Sequence, residues 1–246
     1  MVGAALLASL SLAQPVSIAV VDTGANVNVP VLAAKHPLTY DVRTHGHDVL
    51  DANGHGTRVA SIIARDGGAV RLLIIRAGSS SGAFTDANEA AAIRYAVDHG
   101  ARIVNLSLGG PRTSKVERSA IRYAVAHGVL VIAAAGDDYA NRPEYPAALL
   151  GGRGLAVAAV ADNGSRAFFS NTGPWVSIAA LGADGTSFAA PRVAAAAARV
   201  WQANPRLTAR DVVRILEQTA SGNGTRNDEL GFGVVDVGRA LAAARH

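Results

Sequence analysis

Two hydrophobic periods alternate along this chain. Val16–Val21 (VSIAVV) is a continuous apolar run rich in β-branched residues, as expected of a parallel strand buried on both faces. Comparable runs recur at Val70–Ile75, Arg102–Ser107, Val129–Ala135, Leu155–Val160 and Trp175–Ala179. Between them the apolar positions fall at helical spacing. Gly54–Ala64 reads as a helix after a glycine-rich turn. Thr85–His99 reads as another, capped by Thr85 or Asp86, with Glu89 in its first turn and Gly100 as its stop. Thr186–Trp201 is a long alanine-rich helix, and Thr208 caps a further one running to about Ala220.

One helix–strand unit occurs twice. IRYAVDHG at 93–100 recurs as IRYAVAHG at 121–128, and an apolar strand follows each copy. Successive helix–strand units imply right-handed crossovers in a parallel sheet, and two copies are too few for a solenoid. No Pro/Gly/Ser-rich linker divides the chain. The pattern predicts one α/β domain over residues 14–246, a three-layer sandwich with a mostly parallel central sheet and helices on both faces. In such sheets functional groups gather outside the carboxyl ends of the strands, where Asp22, Ser107 and Asp137 fall.

Composition narrows the function classes. Half of the 246 residues are hydrophobic and 17% are charged, which is ample for a core and argues against disorder. The formal charge of +4 comes almost wholly from scattered arginines, with Lys35 and Lys115 the only lysines. Without clustering, that charge reads as a solvated surface and not as a nucleic-acid footprint. The lack of cysteine excludes disulfides, thiol catalysis and thiolate metal sites. No apolar run is long enough to span a membrane. Residues 1–13 read either as a signal peptide, with Leu6–Leu12 as its apolar region, or as a remnant helix leading into the first strand. His45-Gly46-His47-Asp48 reads as an exposed polar loop, not a metal site. His99 and His127 fall at helix C-termini, where imidazolium complements the dipole. Asp22-Thr23-Gly24 lacks the G-x-G-x-x-G of a dinucleotide site.

Three segments carry chemistry. VVDTG places Asp22 at the end of a buried strand. NGHGTRVASIIA opens a helix with His55. DGTSFAAP puts Ser187 in the first turn of another helix. A hydroxyl nucleophile needs a base for its proton, and the base needs a carboxylate to hold its tautomer. Each residue alone has a plainer reading, as a turn or cap residue. Together, with glycines beside His55 and Ser187, they form a constellation expected to converge, with a His55 ring nitrogen within roughly 3–4 Å of the Ser187 hydroxyl.

These segments resemble the signatures of the subtilisin-like serine proteases (subtilases). The resemblance runs from about Val16 to Leu241 and includes NLSLGG at 105–110, AAAG at 133–136 and GFGVVDVGRAL near the C-terminus. The order Asp, His, Ser separates it from chymotrypsin-like and α/β-hydrolase chains. The resemblance implies Ser187 as nucleophile, His55 as general base and acid, and Asp22 as orienter. It implies that the Ser187 backbone N–H and residue 137 face the oxyanion. It implies that Ser107, Leu108, Gly109 and Gly110 pair with an extended polypeptide substrate. Ala133, Ala134, Ala135 and Gly136 then line the other wall of the P1 pocket, with room for a large apolar side chain. It further implies a secreted or cell-envelope monomer that uses no cofactor and binds neither nucleic acid nor membrane.

The departures from the family pattern are specific. Arg58 stands where a second histidine is common. Asp66–Ala69 is too short for the loop that holds calcium in many relatives, so that site is expected to be absent. The stretch from Ile178 to Gly185 lacks the extra hairpin many relatives have. No residues ahead of the first strand match the inhibitory propeptide of many relatives. Most consequentially, Asp137 replaces the asparagine whose amide serves the oxyanion, and it is expected to lie buried at its strand end. A carboxylate has no proton to donate. The expected function is a serine endopeptidase weakened by Asp137. The alternatives are an impaired subtilase fold acting as a peptide-binding or scaffold domain, and an esterase or amidase.

Overall fold

The computed structural model describes residues 15–245. Its strands are β1 (Val16–Asp22), β2 (Leu38–Asp41), β3 (Val70–Arg76), β4 (Ile103–Leu106), β5 (Leu130–Ala134), β6 (Leu155–Val160) and β7 (Ile178–Leu181). All pair in parallel, in the order β2-β3-β1-β4-β5-β6-β7. The helices are α1 (Pro30–Ala33), α2 (His55–Asp66), α3 (Asp86–Asp98), α4 (Lys115–Ala126), α5 (Thr186–Ala203), α6 (Ala209–Thr219) and α7 (Val237–Ala244).

Alternation along the strands builds three layers. On β1, Ile18 and Val20 join the core formed with Val59 and Ile63 of α2 and Val193 and Trp201 of α5. Their neighbours Ala19 and Val21 point the other way, into a core with Ile93 and Ala96 of α3 and Ile121 and Ala124 of α4. The chain belongs to the three-layer α/β class that its pattern predicts. Buried alanines at 189, 190, 194, 196, 197 and 198 give α5 a narrow surface, which lets it lie close to the sheet. The repeated segments become α3–β4 and α4–β5. Their closing histidines do the same job, with the Nδ1 of His99 on the Tyr95 carbonyl and that of His127 on the Tyr123 carbonyl, both at 2.8 Å.

Local differences from the periodicity have physical causes. The last strand begins at Ile178 and not Trp175, because the Val176 N–H closes a turn onto the Gly173 carbonyl at 3.1 Å. Strand β2 is a four-residue edge with Leu38 more than half exposed, too short for a clear alternation. Helix α7 is capped by Asp236, which accepts from the Arg239 N–H at 2.9 Å. Residues 1–13 lie outside the described residues. His45 and His47 have separate partners, the Tyr40 hydroxyl at 3.1 Å and the Thr39 carbonyl at 2.7 Å.

The turn from α2 to β3 is closed by side chains. Lys35 donates to the Gly68 carbonyl at 2.8 Å, and Gln202 donates to the carbonyls of Gly67 and Ala69 at 2.8 and 2.9 Å. Asp66 is paired with Arg192 at 3.2 Å. Donors thus engage the carbonyl oxygens of Gly67, Gly68 and Ala69 and one carboxylate oxygen of Asp66. The melting temperature is expected to be the same in a metal chelator and in millimolar calcium, measured by calorimetry. A fall of several degrees on chelation would contradict this account of the turn.

Candidate active site

Strand β1 ends in a fully buried carboxylate. Asp22 Oδ1 accepts from the Thr23 N–H at 2.8 Å and from His55 Nδ1 at 2.7 Å. His55 is the first residue of α2, and about a quarter of its side chain is exposed. The carboxylate can only accept, so Nδ1 carries the proton of the neutral ring and Nε2 is left as a lone-pair base. Close approach explains the glycines. A β-carbon on Gly56 would lie 2.2 Å from the Gly24 carbonyl oxygen and 3.0 Å from Asp22 Oδ1. Gly24 itself has φ +112°, and a β-carbon there would lie 2.3 Å from the Val49 carbonyl oxygen.

A second carboxylate supports the first. Asp51 accepts from the Thr23 hydroxyl at 2.8 Å, the Gly54 N–H at 2.9 Å, the Thr57 N–H at 2.8 Å and the Thr57 hydroxyl at 2.6 Å. It thereby caps α2 from outside and links the helix to the residue after Asp22. Burial pushes the Asp51 carboxyl up, but these hydrogen bonds outweigh it and hold it below the ordinary range. The sequence reading missed Asp51; its only signal was an acid a few residues ahead of a helix start.

Ser187 lies in the first turn of α5, half-buried. Its hydroxyl donates to the Ser107 carbonyl at 3.2 Å, and the Ser107 hydroxyl donates back to the Ser187 carbonyl at 2.7 Å. Buried Asn105 donates to the Ser107 hydroxyl at 3.0 Å. The exit of β4 and the start of α5 are therefore locked together. No hydrogen bond joins Ser187 to His55 among the described residues. Their neighbours meet: the His55 ring lies 5.4 Å from that of Phe188, the residue after Ser187, and His55 shares a cleft of about 190 Å³ with Ser107, to which Ser187 is bonded, and with Thr23, Leu108 and Gly109. A rotation about the Ser187 Cα–Cβ bond to another staggered well redirects its hydroxyl.

Residue 137 meets the same helix start. Asp137 Oδ1 accepts the Thr186 N–H at 2.8 Å, and the Gly136 N–H donates to the Thr186 hydroxyl at 3.1 Å. Contrary to the sequence reading, Asp137 is exposed and not buried. The carboxylate is drawn outward over the positive end of α5, where an anion is stabilised. Asp138 turns away to pair with Arg142 at 3.1 Å. Asn171, unremarked in the sequence, shapes this turn by accepting from the N–H groups of Asp138 and Ala140 at 3.0 and 2.9 Å. Ala133–Ala135 are buried at the exit of β5, opposite the 107–110 segment. Arg58 also has a partner set: it bonds Asp184 at 2.8 Å and lies 4.0 Å over the Phe188 ring. It ties α2 to the short turn ahead of Ser187.

Burial pulls the His55 imidazolium down, but the hydrogen bond and charge of Asp22, with the charge of Asp51, outweigh it and raise His55 above its ordinary value; Arg58 opposes them. Burial pushes Asp22 up, against the pull of His55 and Thr23. An NMR titration of the imidazole is expected to give a His55 pKa above about 6.5. It should fall in Asp22→Asn, where desolvation remains and the counter-charge is lost. A wild-type value at or below 6.5, unmoved by that substitution, would contradict the assignment.

Comparison with known proteins gives the family. Residues 13–233 match the model of the Subtilase family, Peptidase_S8. The chain is 35% identical to the Thermophilic serine proteinase of Bacillus sp. (strain AK1) over 85% of its length, spanning 58% of that protein. It is 32% identical to Subtilisin Savinase of Lederbergia lenta, covering 87% of this chain and 90% of that one. It spans only 26% of the Cell wall-associated protease of Bacillus subtilis (strain 168), at 36% identity. A cold adapted subtilisin-like serine proteinase superposes with TM-score 0.78 at 29% identity, covering 92% of this chain and 88% of that one. A lanthipeptide protease shares the fold, with TM-score 0.83 at 22% identity over 93% and 87%. The chain belongs to the subtilase family of serine proteases.

Proposed function

We propose that the protein is a serine endopeptidase acting through Asp22, His55 and Ser187, slowed by the carboxylate of Asp137. The observation that carries this reading is the 2.7 Å bond between buried Asp22 and the partly exposed His55, set beside the helix start that bears Ser187. In this mechanism an extended polypeptide pairs with the 107–110 segment, its P1 residue lying between that segment and Ala133–Gly136. The Ser187 hydroxyl swings from the Ser107 carbonyl to His55 Nε2, which takes its proton as the oxygen attacks the scissile carbonyl. Asp22 stabilises the imidazolium, which then protonates the leaving amine. Water hydrolyses the acyl-enzyme by the same route in reverse.

Charge develops on the carbonyl oxygen during attack. The Ser187 N–H has no partner among the described residues and serves as one donor. The Thr186 N–H is already committed to Asp137. The second carboxylate oxygen of Asp137 then lies where a donor is wanted, and its charge opposes the oxyanion. This favours slow turnover, and in the limit a peptide-binding fold with little catalysis. No helix among the described residues is long and apolar enough to cross a membrane. A polypeptide substrate met outside the cytoplasm fits this reading, with the Bacillus subtilis relative named as cell wall-associated.

The test is Asp137→Asn, which keeps an acceptor for the Thr186 N–H and places an amide donor beside the oxyanion. Removing one such donor from subtilisin itself costs about 10²–10³ in kcat. On a chromogenic peptide at neutral pH, kcat is expected to rise at least about tenfold, with KM little changed and Ser187→Ala as the blank. An unchanged or lower rate would show that Asp137 does not oppose the oxyanion.

A further inference from the structure

The proposed cleft contains a carboxylate that the triad does not use. Glu144 is 7% exposed, and its Oε2 is sealed from solvent with no hydrogen-bond partner. It forms no ion pair among the described residues. Its side chain runs between the two walls of the proposed P1 pocket. A β-carbon on Gly109 would lie 2.9 Å from Glu144 Oε1, and one on Gly136 would lie 3.0 Å from Glu144 Cγ. The segment is held there by reciprocal backbone bonds between Gly110 and Tyr145, both 2.9 Å. The two glycines, one on each wall, leave the space that this side chain occupies.

Nothing inside the protein needs that charge. Desolvation raises the Glu144 carboxyl to about 7, with Asp138 and Asp137 adding to the rise and Arg142 opposing it. A buried carboxyl left without a counter-ion is destabilising, and an uncharged side chain of the same size would fill the space without that cost.

We infer that Glu144 forms the floor of the P1 pocket and directs cleavage to the carboxyl side of arginine or lysine. This rests on the endopeptidase reading above and replaces the large apolar P1 residue expected from the small side chains of the walls. A long basic side chain lying along these walls carries its charge to Glu144 Oε1, the carboxylate oxygen that faces Gly109, and supplies a charge-assisted hydrogen bond. A phenylalanine or leucine in the same place would strip the carboxylate of its remaining solvation and give nothing back. The discrimination is a matter of unpaired charge, so it is expected to be steep.

The experiment uses peptides that differ only at P1, with arginine, lysine, citrulline, phenylalanine or leucine. They are cleaved by the wild type, Glu144→Gln and Glu144→Asp. The wild type is expected to show kcat/KM at least about tenfold higher for arginine than for phenylalanine or for citrulline, the neutral isostere of arginine. Glu144→Gln should reduce that ratio at least about tenfold, and Glu144→Asp should keep a preference for the basic side chains. Preference of the wild type for phenylalanine or leucine would overturn the inference. So would an arginine preference that survives Glu144→Gln. Cleavage of apolar peptides alone removes only the specificity. Failure on every peptide, in wild type and in Asp137→Asn alike, removes the endopeptidase reading beneath it.

Discussion

The hydrogen bond between Asp22 and His55 is the constraint on which the rest of the structure depends. A carboxylate with no solvent exposure costs several kcal/mol unless donors surround it. Here the donors come from Thr23 and from the first residue of α2, so the helix must begin against the end of β1. That demand accounts for Gly24 and Gly56, which allow backbone and carboxylate to approach within the reach of a β-carbon. It also accounts for Asp51, which holds the start of α2 by three hydrogen bonds and the residue after Asp22 by a fourth. The sheet order completes the arrangement. Strand β1 lies between β3 and β4, so the exit of β4 runs beside Asp22 and delivers Ser107 to the start of α5. The strand order reverses there, which is where open parallel sheets place their ligands.

The start of α5 serves two ends that conflict. Its free N–H groups and positive dipole suit a developing oxyanion. The same features attract Asp137, which takes the Thr186 N–H and remains exposed above it. A cap of this kind stabilises the helix that carries the nucleophile while it brings negative charge to the place where the transition state is negative. Arg58 performs a related structural task from the other side, covering Phe188 and bonding Asp184. A short turn with no hairpin around it is thereby tied to α2.

Much of this was legible before any coordinates. Continuous β-branched runs mark strands buried on both faces, and the duplicated IRYAV segment implies repeated crossovers. Asp22, His55 and Ser187 stand out only together, since each alone reads as a turn or cap residue. What escaped were elements without a periodic signal: the four residues of β2, the single turn of α1, and α7, whose Asp236 cap was present but unread. Asn105, Asp51 and Asn171 also escaped, because each acts through partners distant in sequence. Asp137 was expected to be buried, since it follows a buried strand; the pull of a helix start contributed by residues fifty positions later could not be seen. Glu144 escaped for the same reason, since its meaning lies in two glycines on separate segments.

The central claim is that Asp22 and His55 make a nucleophile of Ser187. Its most direct measurement is reaction of the folded protein with a fluorophosphonate probe, followed by peptide mapping by mass spectrometry. Such a probe reacts with an activated hydroxyl and does not require a substrate of known sequence. The account predicts one adduct per chain, on Ser187, formed much more slowly in His55→Ala. A folded protein that takes up no probe, or that carries the adduct on another serine, would contradict it.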